Sequence, residues 1–86
     1  FYHSKWMKDI DDFNADEFLV RLGKNIAKIR TSKGYSQDRA CLEAGFARGT
    51  LSKIERGLVE PKVTTIARLA IILGVPYKKL HEVELF

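Results

Sequence analysis

Sulfur and chain breakers are scarce: one cysteine, one methionine and two prolines among 86 residues. Cys41 can form no internal disulfide and has no second thiol with which to build a metal site. The expectation is a buried thiol in a reduced, cytoplasmic chain. Histidine is equally sparse. His3 and His81 lie at opposite ends, and neither a carboxylate cluster nor a phosphate-cradling glycine loop accompanies them, which argues against an enzyme and against any metal or cofactor. Long apolar runs are missing too. The longest uncharged one, Leu69 to Tyr77, falls well short of the roughly 20 residues that a membrane helix requires. No charged-then-apolar signal segment opens the chain, and there is no internal repeat, no low-complexity tract and no β-sheet pattern. A chain of this length supports one domain with one modest core, for which a helical bundle is the economical solution.

What the chain does carry is charge, unevenly placed. The net +4 divides into −3 over residues 1–19, +9 over residues 20–81 and −2 over residues 82–86. A basic body behind an acidic leader suits a polyanionic partner, because each phosphate neutralised releases condensed counterions. A merely solvated basic surface is the alternative on charge alone.

The same division organises the chain into an aromatic, acidic leader (1–14), a helical body (15–81) and a short tail (82–86). In the leader, Trp6, Ile10 and Phe13 share one face if the segment is helical. Asn14 followed by Glu17 has the spacing of a capped helix start, and Phe18, Leu22, Ile26 and Ile29 continue at helical period, so a first helix spans about 15–33 and stops at Gly34. Ser36 caps a second helix, with Asp38 near its positive end, running to about Ala44. Gly45 supplies a tight turn. A third helix covers about 47–56, with Leu51 and Ile54 inward and Gly57 at its end. After a loop closed by Pro61, the positions Val63, Ile66, Leu69, Ala70 and Leu73 give the inward face of a fourth helix ended by Gly74. Pro76 starts a short fifth helix through Leu80.

Ser36-Gln37, Gly45, Leu51-Ser52, Ile54-Glu55, Gly57 and Pro61, followed by an apolar helix and "LGV", together resemble the phage-repressor and Cro type of helix-turn-helix domain, the Xre family. The resemblance covers about residues 22–80. It implies an all-α, five-helix, lambda-repressor-like fold here extended at its N-terminus, in which a first short helix crosses a DNA backbone while the second enters a major groove. By resemblance, Arg48, Gly49, Thr50 and Lys53 face the base edges. Arg48 is then the candidate for a bidentate contact to guanine, with a phosphate contact as the alternative, and Thr50 offers a hydroxyl or a methyl. Gly49 reaches no base, and a glycine within a helix costs about 1 kcal/mol relative to alanine. Ser36 and Gln37, at the start of the second helix, are placed against phosphate, Gln37 as a clamp. Ser52, Arg56 and Lys62 are placed near the sugar-phosphate backbone, with ordinary solvated side chains as the alternative. Arg30 and Glu55 match a family ion pair tying the first helix to the end of the third. Four positions depart from the family pattern: Ala40 where leucine is usual, Cys41 where alanine is usual, Leu42 where a polar residue is common, and Ala47 in place of a serine or threonine cap.

The resemblance implies a regulator that binds double-stranded DNA as a homodimer on a near-palindromic operator. An antitoxin or adaptor, with a second protein as its main partner, is the alternative. For the homodimer, the apolar residues without an evident role inside one protomer are Ile71, Tyr77, Val83, Leu85 and Phe86. Trp6 and Ile10 are further candidates.

Overall fold

Asn14 begins the first long helix as its sequence spacing requires: its Oδ1 accepts the Glu17 backbone N–H at 3.0 Å, and Asp16 and Glu17 sit at the positive end of the helix dipole. The computed structural model describes residues 8–86, in which four α-helices follow one another: α1 (Ala15–Ser32), α2 (Gln37–Ala44), α3 (Thr50–Glu55) and α4 (Val63–Leu73). Two 3-10 helices, Ile10–Asp12 and Tyr77–His81, flank them. Among the described residues there is no strand. The expected fifth helix is therefore one short 3-10 segment, Tyr77–His81, and the α-helices number four.

Each helix buries one stripe. Ile26, Leu51, Ile66, Leu69 and Leu80 are the largest fully buried side chains, and they come from α1, α3, α4 and the last 3-10 helix. Withdrawing each from water contributes about 1.5–3 kcal/mol. Helix α2 adds Ala40, Cys41 and Ala44 to the interior while Leu42 remains 81% exposed, so its small residues face inward and its leucine outward. These three small inward residues let α2 lie close to α3 and α4.

Two sequence expectations fail here. Val63 is 68% exposed. It opens α4 at the rim of a groove also lined by Phe13, Phe18 and Leu19, a turn before the helix reaches the core at Ile66. In the leader, Ile10 is 81% exposed on a 3-10 turn whereas Phe13 is half-buried, so the two do not share a buried face. His3 and Trp6 lie outside the described residues.

Candidate nucleic-acid interface

The turn between α2 and α3 is set by Gly45, which ends α2 in the left-handed region at φ 76°, ψ 31°. Its N–H donates to the Leu42 carbonyl at 3.3 Å, and the Phe46 N–H donates to that of Cys41 at 2.8 Å, so the last carbonyls of α2 are satisfied as the chain reverses. The sequence placed the start of the third helix near residue 47. It begins instead at Thr50, and Gly49 is its N-cap, left-handed at φ 86°, ψ −10°. Arg48 and Gly49 thus form a turn before the helix, with the Thr50 N–H donating to the Ala47 carbonyl at 3.1 Å.

This changes the meaning of Gly49. It is no weak point inside a helix, because only a residue that tolerates positive φ can hold this cap. Gly49→Ala should therefore destabilise the protein by about 1–2 kcal/mol, although the space around its Cβ position is open. Urea unfolding reads the sign directly, and a gain in stability would place residue 49 inside the helix after all.

Helix α3 has two faces. Leu51, Ile54 and Glu55 are buried; Arg48, Gly49, Lys53 and Arg56 are exposed, and Thr50 and Ser52 are half-buried. The exposed residues of α3 and its flanks therefore include three cations: Arg48 on the preceding turn, Lys53 in the helix and Arg56 at its C-cap. At the start of α2, Ser36 is exposed and its Oγ accepts the Arg39 N–H at 3.0 Å. Gln37 is half-buried and turned toward α3, its Nε2 donating to Glu55 Oε1 at 2.9 Å. Lys62 is exposed and forms the N-cap of α4, where no side chain caps the first-turn amides.

Behind this surface lies an ion pair. Arg30 Nε donates to Glu55 Oε2 at 2.7 Å and Nη2 to Oε1 at 3.0 Å, the two-pronged geometry in which guanidinium and carboxylate bind most strongly. Side-chain exposures of 11% and 5% put the pair out of bulk solvent. Arg30 Nη1 donates to the Tyr35 carbonyl at 2.6 Å, so the same guanidinium holds the α1–α2 connection. Nearby on the surface, the hydrogen bond from Arg39 holds the Glu43 carboxyl below its ordinary value, and the Arg39 guanidinium lies 4.0 Å from the Tyr35 ring centre. Helix α1 also approaches α3 from behind at Gly23, where a Cβ would lie 2.5 Å from the carbonyl oxygens of both Ile54 and Glu55. Neither the Gly23 contact nor the Gln37–Glu55 bond emerged from sequence reasoning. The signal for the first was a glycine inside a strongly periodic helix.

The residues considered for a homodimer occupy the other end of the chain. Ile71 is 77% exposed on α4, and the ring of Tyr77 lies 4.5 Å from that of His81. Val83 is half-buried, while Leu85 and Phe86 are exposed. The tail nevertheless has partners inside the protomer. Arg21 Nε donates to the Glu84 carbonyl at 3.1 Å and Nη2 to that of Leu85 at 3.2 Å. Phe86 meets Phe13 edge-on with ring centres 6.2 Å apart. Leader and tail thus touch beside α1, which gives Phe86 a role that the sequence had not suggested.

Residues 26–80 match the helix-turn-helix family HTH_3. The chain is 39% identical over 59 residues to the uncharacterized HTH-type transcriptional regulator y4dJ of Sinorhizobium fredii, a match covering 69% of this chain and 77% of that one. It spans less than half the length of several other curated relatives. Among solved structures, the restriction-modification controller protein C.AhdI from Aeromonas hydrophila superposes with a TM-score of 0.70 at 31% identity, covering 72% of this chain and 94% of that one. The biofilm master regulator SinR in complex with DNA superposes with a TM-score of 0.67 at 32% identity, covering 71% and 98%. The curated relatives are named as transcriptional regulators, a class of binding protein and not of enzyme. With the α2–Gly45–α3 unit in place and the match extending over most of the folded body, the chain belongs to the helix-turn-helix family of DNA-binding transcriptional regulators.

Proposed function

We propose that the protein is a cytoplasmic, sequence-specific regulator that binds double-stranded DNA as a homodimer on a near-palindromic operator, with α3 in the major groove. The observation that carries this reading is the outward face of the Arg48–Arg56 stretch, which presents Arg48, Lys53 and Arg56 to solvent while Leu51, Ile54 and Glu55 anchor it from behind. In this arrangement Arg48, Thr50 and Lys53 read base edges and Gly49 allows close approach. Ser36, Gln37, Ser52, Arg56 and Lys62 lie along phosphates. Arg48 precedes the helix on a turn, so its long side chain reaches a groove without being fixed to a helical face.

Arg48→Ala should cost about 1–3 kcal/mol on operator DNA and relax the preference at one base pair per half-site, because a base-edge contact carries both affinity and information. Equal weakening on operator and scrambled duplexes would make Arg48 a phosphate contact. Titrations at two salt concentrations address the broader class. DNA binding should fall steeply with salt, whereas an antitoxin or adaptor holding a protein partner through apolar surface would show little dependence.

One recognition helix reads too few base pairs to single out a site among genomic competitors, which is the reason for a second copy. The proposed contact uses Ile71, Tyr77, Val83, Leu85 and Phe86, with the two α3 helices about 34–36 Å apart on successive major grooves. Ile71→Asp or Leu85→Asp should lower operator affinity without altering any DNA contact. Sedimentation of the wild type as a monomer at high concentration would remove this interface.

A further inference from the structure

Helices α2 and α3 are joined at one end by covalent chain, through Gly45. Their other ends, the first turn of α2 and the last residue of α3, are joined by a single side-chain bond: Gln37 Nε2 donates to Glu55 Oε1 at 2.9 Å. A carboxylate only accepts, so the amide must present its nitrogen here, and the orientation of the Gln37 head group is fixed by chemistry. That acceptor oxygen already takes the Arg30 Nη2 bond at 3.0 Å, and Glu55 is buried. Gln37 is therefore bonded to a group that cannot move without breaking the two-pronged Arg30 contact.

From this geometry we infer that Gln37 is a positioning residue: it clasps the open end of the helix-turn-helix and sets the angle at which α3 leaves α2. The inference rests on the reading of α3 as the helix that enters DNA. If α2 lies on the backbone while α3 enters the groove, the angle between them fixes where Arg48, Thr50 and Lys53 fall relative to base edges. Without the clasp, α2 keeps its own N-terminal amides and Ser36 against phosphate, and Arg30 still ties the end of α3 to α1, but α3 is joined to α2 only through the turn and the core. Nonspecific affinity then falls only by whatever Gln37 contributes at phosphate, while operator affinity falls further, so discrimination drops. A simple phosphate clamp behaves differently, since it contributes equally to every sequence.

The test uses the full chain, with Gln37→Ala and with Gln37→Met, which keeps the aliphatic length and removes the donor. Two quantities are measured: affinity for a selected operator duplex against a scrambled duplex, and, without DNA, the solvent exchange of the Arg30 Nε–H followed by NMR. Both variants should lower the operator-to-scrambled affinity ratio about tenfold, in line with loss of a hydrogen bond to a charged group, and should speed exchange of the Arg30 proton. Equal weakening on both duplexes with an unchanged Arg30 proton would overturn the clasp and make Gln37 a phosphate contact only. If the wild type itself shows no preference between duplexes, the DNA reading fails. The Arg30 proton then decides the clasp alone, faster exchange supporting it and unchanged exchange overturning it.

Discussion

Glu55→Ala should lower the free energy of unfolding by about 3–5 kcal/mol, because it strands a buried guanidinium. Arg30 would lose the acceptors of Nε and Nη2 and keep only the Tyr35 carbonyl. Gln37 would lose its partner at the same moment. For a domain whose total stability is about 5–15 kcal/mol, that is enough to leave a substantial unfolded population at moderate temperature. The loss measures the cost of an unpaired charge and not the net value of the pair. Replacing both partners together, Arg30→Met with Glu55→Leu, should recover most of it, since apolar side chains of similar size avoid the desolvation that both charges suffer. Urea unfolding of the single and double variants checks both statements. A single-variant loss below about 1 kcal/mol, the range of exposed ion pairs, would mean that the pair is solvated.

Gly23→Ala is the second large effect, about 3 kcal/mol. Alanine normally improves a helix interior by about 1 kcal/mol over glycine. Here the added methyl would meet two backbone carbonyl oxygens, of Ile54 and Glu55, at 2.5 Å. Backbone in a packed helix cannot rotate aside as a side chain does, so α1 and α3 must separate, and overpacking of this kind costs at the upper end of about 1–3 kcal/mol. The displacement falls on the last turn of α3, where Glu55 bonds to Arg30 and Gln37. Stability and operator affinity should therefore fall together. A variant as stable as the wild type would show that the two helices do not approach so closely.

Both effects concern the rear of the interface, where the sequence indicates the Arg30–Glu55 pair by resemblance but not the close approach at Gly23 or the Gln37–Glu55 bond. Helix boundaries were legible wherever local chemistry sets them. Asn14 and Ser36 cap α1 and α2, and Gly74 ends α4 in the left-handed conformation, each a property of one residue and its near neighbours. The start of α3 was not legible. A glycine at position 49 reads equally well as a weak helical residue or as a positive-φ cap, and only the backbone at φ 86° distinguishes them. Val63 was misplaced for a related reason: it has the right spacing from Ile66 and Ala70, but the first turn of α4 projects past the core. Gln37 shows the deeper limit. A family position can indicate proximity to phosphate, yet its amide bonds to a residue 18 positions away in the chain, a contact that exists only once α3 has been folded back beside α2.

The most direct measurement is selection of bound sequences from a random pool of double-stranded DNA by the full chain. The expected product is an inverted repeat of short half-sites centred one helical turn apart, about 10–10.5 base pairs, the spacing that two copies of α3 on successive major grooves require. Repeating the selection with Arg48→Ala should return the same repeat with one position per half-site relaxed. Recovery of an unenriched pool, at salt concentrations where the wild type still binds, would contradict sequence-specific recognition by α3.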